Sequence, residues 1–77
     1  MPRPIRTIAF EIRQNWKPVG YAAEPYVQAM SHLDKVTDVY ITEDANSLIR
    51  RFLFNAQTWR GPVARRIKAE LKQMVGL

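Results

Sequence analysis

The chain has no cysteine, one histidine and only three glycines among its 77 residues. Without thiols it can hold no disulfide framework, thiolate metal site or catalytic cysteine. None of the glycines stands in a dinucleotide-binding or P-loop spacing, so phosphate-cradling loops of those kinds are excluded. No apolar run approaches the roughly 20 residues that cross a bilayer. The opening Met1-Pro2-Arg3-Pro4 lacks the apolar stretch of a signal peptide. A chain of this length supports one hydrophobic core, so a single domain over residues 1–77 is expected, with residues 1–4 frayed. The expected location is the cytoplasm.

What is present is a globular proportion of apolar residues, 47%, which argues against disorder, and a formal charge of +5. That charge is uneven. Residues 1–23 sum to +3, residues 24–44 to −4 and residues 45–77 to +6. Two basic zones flanking an acidic one would attract anionic partners over long range, although net charge also serves solubility alone.

Four segments repeat their apolar residues with the period of a helix, and none alternates as a strand does. Ile5, Ile8, Ala9, Ile12 and Trp16 share one face of a first helix that must end before Pro18. A second opens at Glu24-Pro25, with Tyr26, Ala29, Met30, Leu33 and Val36 as its face. Thr37 to Ile41 is β-branched enough for one extended turn, but no partner strand is evident. Thr42 suits the N-cap of a third helix with Glu43 and Asp44 in its first turn, and Ala45, Leu48, Ile49, Phe52, Leu53 and Ala56 form its stripe. Gly61-Pro62 starts the fourth, which carries Val63, Ala64, Ile67, Leu71, Met74 and Val75 on one side and stops at Gly76. The predicted fold is all-α, a bundle of about four short helices.

Catalytic chemistry finds little footing. His32 is the sole histidine and lies at the polar edge of the second helix, and the serines and carboxylates fall in no triad or dyad spacing. The chain therefore reads as a non-enzyme with no cofactor and no metal. Binding chemistry has more support. Arg6, Phe10, Arg13 and Lys17 run along one side of the first helix, where cations flanking an exposed ring suit a nucleic-acid strand. The favoured reading of Phe10 is that it broadens the core face. On the fourth helix Arg65, Lys68 and Lys72 stand opposite the apolar stripe, and Arg66 is spaced to pair with Glu70. Phe54 stands opposite the third helix's stripe, beside Arg50 and Arg51. It is either a second core contact or the centre of a binding surface. Helices three and four have the lengths of a helix-turn-helix, but Pro62 and Val63 at the would-be reading positions offer no base-edge donors.

Four runs look familiar together: Ile8-Ala9-x-Glu11-Ile12-Arg13-x-x-Trp16-Lys17, Ala23-x-Pro25-Tyr26-x-x-Ala29-Met30, Phe52-Leu53-x-Asn55-Ala56-x-Thr58-Trp59-Arg60-Gly61 and Ala64-Arg65-Arg66-Ile67-Lys68-x-Glu70-Leu71. They resemble a family of small proteins of tailed phages, prophages and bacterial mobile elements. The chain departs from that pattern at Pro62, where an acidic residue is commoner, and in its arginine-rich start. Within the motif, Trp59 is expected to fill the gap under the turn, Asn55 or Thr58 to satisfy helix-end groups, and Gly61 to supply backbone freedom.

The resemblance implies an accessory protein that binds a host protein or ribonucleoprotein machine in the bacterial cytoplasm, most concretely an inhibitor of CRISPR–Cas systems. The expected contact residues are Arg50, Arg51, Phe54, Arg60, Arg65, Lys68 and Lys72. The alternative is a small basic nucleic-acid-binding protein using Arg6, Phe10, Arg13, Lys17, Arg65, Lys68 and Lys72. A homodimeric interaction module is the third reading.

Overall fold

In the computed structural model, which describes residues 3–77, the apolar periods become α1 (Ile5–Asn15), α2 (Glu24–Met30), α3 (Ala45–Asn55) and α4 (Pro62–Met74). The helices contact one another in a ring, α1 with α2 and α4, and α3 with α2 and α4. Their buried stripes meet at the centre, where Ile5, Ile8, Ile12, Met30, Leu33, Ile49, Phe52, Ile67 and Leu71 are closed to solvent. The expected all-α bundle of four helices is what forms, and no helix is long and apolar enough to cross a membrane among the described residues.

Three boundaries differ from the sequence reading. α2 ends at Met30 instead of continuing to Val36. Ser31 Oγ donates to the Gln28 carbonyl, and the chain then turns so that the Leu33 and Asp34 carbonyls accept from Arg6 N and Ile5 N at 2.7 and 3.0 Å. Those two amides belong to the first turn of α1, which has no intrahelical acceptors for them, so one segment's end satisfies the other's beginning. Val27 and Ala23, absent from the predicted face, are buried while Tyr26 is only half-buried.

The acidic pair Glu43-Asp44 is not the first turn of α3. It forms β2 (Glu43–Asp44), antiparallel to β1 (Val39–Tyr40), with Val39 opposite Asp44 and Tyr40 opposite Glu43. The N-cap is therefore Asp44, whose carboxylate accepts from Ser47 N at 2.7 Å, and not Thr42. Ile41, at the hairpin tip, has a φ of +59° and is 81% exposed. A β-branched residue is strained there and its side chain gains no burial in return. Ile41→Gly is expected to raise the unfolding free energy by about 1 kcal/mol, read as a higher urea midpoint. An unchanged or lower midpoint would show that the turn carries no such strain.

The third difference is at the start of the chain. Of the four residues expected to fray, Met1 and Pro2 lie outside the described residues, but Pro4 caps α1 and Arg3 is held. Its guanidinium donates to both carboxylate oxygens of Glu70 at 3.0 and 2.7 Å and lies 2.9 Å from Glu11. Arg66 completes this group by donating to Glu11 across the α1–α4 seam. Arg66 was expected to pair with Glu70 on its own helix, and it does not. A bidentate arginine arriving from another part of the chain engages that carboxylate instead.

Candidate functional site

α3 and α4 run side by side, joined by the turn that contains the Asn55–Gly61 motif. Asn55 Nδ2 donates back to the Arg51 carbonyl, and Trp59 N to that of Ala56. Trp59 is 5% exposed and lies parallel to Trp16, ring centroids 5.2 Å apart, so it belongs to the core as expected. Gly61 caps α4 with a φ of +115°, a conformation open to glycine and strained for other residues. At the far end Gly76, with a φ of +77°, completes a Schellman stop in which Leu77 N donates to the Lys72 carbonyl and Gly76 N to that of Gln73.

Two aromatics come out differently from Trp59. Phe54 is 73% exposed on the outward side of α3, which removes the second-core reading. Phe10 is 63% exposed, against the expectation that it broadens the core face. It stands nearly opposite Ile8 and Ile12 on the helical wheel, so it cannot reach the centre of the ring.

The cations around these aromatics are in unequal states. Beside Phe10, Arg13 is bidentate to Glu24 at 2.7 and 3.1 Å and Arg6 pairs with Asp34 at 2.9 Å, leaving Lys17 as that cluster's one cation without an ion pair among the described residues. Arg51 pairs with Glu43 at 2.8 Å. Arg50 donates to Asn46 and to the Val75 carbonyl, fastening α3 to the end of α4. Lys68 is not on the free solvent face. Its Nζ donates to the Trp59 carbonyl at 2.5 Å, and its stem borders the stripe of Ala64, Ile67 and Leu71. Arg60, Arg65 and Lys72 are exposed and have no salt-bridge partner among the described residues.

Charge can then be assigned to place. Five arginines and five carboxylates neutralise one another in the ion pairs, which leaves seven cations and the two aspartates Asp38 and Asp44. The whole net charge of +5 sits in that remainder. Five of its seven cations, Arg50, Arg60, Arg65, Lys68 and Lys72, belong to α3, α4 or the turn between them. The sequence-predicted cluster on α1 is by contrast largely neutralised.

No family model, curated protein or solved structure matches the chain.

The ion pairs have a titration signature. Hydrogen bonding from Arg66 holds the Glu11 carboxyl below its ordinary value of 4.5 against the opposing effect of burial, and Arg3 adds to the lowering. Arg13 does the same to Glu24. A carboxyl that titrates lower when folded stabilises the fold above its unfolded value and loses that contribution as pH falls through the folded one. The urea midpoint is therefore expected to fall as pH drops below 4.5, with a shallower acid limb in Glu11→Gln. Identical acid limbs in the two proteins would remove Glu11 from the account. Lys68 is also shifted downward, which for a lysine disfavours the charged form, first by burial and then by the charges of Lys72 and Arg60.

Proposed function

We propose that this is a non-enzymatic binding protein of phage or mobile-element origin that attaches to a host macromolecular machine, with inhibition of CRISPR–Cas interference as its most concrete form. The observation that carries the binding reading is Phe54, 73% exposed on α3, within the helix pair that holds most of the net charge. A ring in water gains nothing from folding, and an aromatic with arginine neighbours is the composition of an interface centre. The unpaired Arg60, Arg65 and Lys72 would steer a negatively charged surface toward it. The phage context rests on the resemblance of the Asn55–Gly61 and Ala64–Leu71 runs, and the choice of machine is analogy from that context.

The test is a phage-interference assay in bacteria with an active CRISPR–Cas system, with capture of the effector complex by the purified protein. Expression of the chain should restore phage growth. A folded Phe54→Ala, Arg65→Ala variant should bind its target at least about 30-fold more weakly, as loss of a hot spot does. Undiminished interference with no capture would refute the CRISPR form of the proposal. Full binding by the double variant would refute the assigned face. A homodimeric module is the competing reading, and a monomeric mass in solution would exclude it.

A further inference from the structure

Where the α3–α4 turn meets α4, the basic surface is concave. Trp59, Arg60, Gly61, Arg65 and Lys68 line a cavity of about 240 Å³. Three of the five lining residues are cationic and none is acidic. Elsewhere in the molecule five arginines lie in direct ion pairs and Arg50 donates to Asn46 and the Val75 carbonyl, whereas Arg60 and Arg65 line this hollow with no salt-bridge partner among the described residues. Lys68 gives one of its three N–H groups to the Trp59 carbonyl, which fixes the ammonium at the wall and leaves two donors over. Gly61 adds no side chain, and the position where a Cβ would stand has no atom within 4 Å.

We propose that this cavity binds a phosphate group. Two arginines and a lysine line one hollow, and a tetrahedral anion has enough oxygens to accept from all three. A carboxylate brings only two oxygens to three separate donor groups, whereas a phosphate brings more. Burial and the neighbouring charges of Lys72 and Arg60 disfavour the charged form of Lys68, and an anion in the hollow would relieve that opposition. This deepens the reading of the α3–α4 face, on which it rests, by giving the chemistry of what the partner presents there. The phosphate can come from a nucleic-acid backbone or from a small phosphorylated molecule.

The full chain titrated with inorganic phosphate at constant ionic strength, followed by amide and side-chain NMR shifts, tests the site. Saturable shifts centred on Gly61, Arg65 and Lys68 are expected, with half-saturation on the order of 1 mM. Neither Arg60 nor Arg65 has a side-chain hydrogen bond or ion pair among the described residues, so Arg60→Gln and Arg65→Gln should each stay folded and weaken phosphate about 10-fold or more. Shifts of the same size with chloride, or variants that bind phosphate like the parent, would overturn the proposal.

A short single-stranded oligonucleotide separates the sources. Tighter binding than phosphate, displaced by phosphate and falling steeply with salt, assigns a nucleic-acid strand. Binding no tighter than phosphate assigns a small phosphorylated ligand. If phosphate fails to bind while Phe54→Ala still weakens partner capture, the cavity is refuted and the face stands. If phosphate binds and Phe54→Ala changes nothing, the face is refuted.

Discussion

Trp59→Ala is expected to lower the unfolding free energy by about 3–5 kcal/mol, enough to consume most of the stability of a domain this small. The indole is 5% exposed, it lies against Trp16 at an interplanar angle of 4°, and its carbonyl receives Lys68. Removing it leaves a cavity under the α3–α4 turn and takes away the surface on which Trp16 rests. The matched comparison is Phe54→Ala, five positions earlier and 73% exposed, which should change stability by no more than about 0.5 kcal/mol. Urea denaturation of both variants checks the pair. Equal losses would mean that Phe54 is a core residue and that the proposed contact face is misassigned.

The second large effect is expected at Gly20, in the connector between α1 and α2. A Cβ there would stand 2.6 Å from Cζ2 and 2.9 Å from Cη2 of Trp16. Neither distance is tolerable for carbon, and moving the ring away would disturb its stack with Trp59. Gly20→Ala should therefore cost about 1–3 kcal/mol through overpacking. The cause is separable from any backbone effect. In a Trp16→Ala background the methyl group has room, so the same substitution should cost close to nothing, and a double-mutant cycle measures the difference. An undiminished cost in that background would place the effect in the backbone and not against the ring.

The residues that were legible in the sequence are those whose surroundings are local. The stripes of α1 and α4 follow from a 3.6-residue period and end at signals that lie beside them, Pro18 and Gly76. Phe10 was legible too. Its wheel position faces away from Ile8 and Ile12, and that angle outweighs any widening of the core face. What the sequence hid is set by distant partners. α2 stops where it does because the carbonyls of Leu33 and Asp34 are needed by α1, nearly thirty residues earlier. The hairpin lacks the glycine or asparagine that normally marks a tight turn, since Ile41 itself takes the positive φ. Glu70 pairs with Arg3 and not with its helical neighbour, and no spacing rule spans 67 residues.

The candidate site divides in the same way. Phe54 and the excess charge of the last two helices were visible as outliers of pattern. Which cations remain unpaired was not, because pairing depends on seams between helices. Arg6 and Arg13 look as free in sequence as Arg60 and Arg65 do, yet Asp34 and Glu24 engage them. Lys68 likewise reads as a solvent-face lysine until the turn brings the Trp59 carbonyl to it.

Both tryptophans of the chain lie in one parallel stack, where Trp16 follows the end of α1 and Trp59 closes the turn before α4. The protein thus has a single chromophore pair and no background indole. Two indoles with centroids 5.2 Å apart couple electronically, so their near-ultraviolet dichroism and emission report one place. Any event that opens this seam, whether heat, acid or a ligand in the adjoining cavity, can be followed optically in the unlabelled protein.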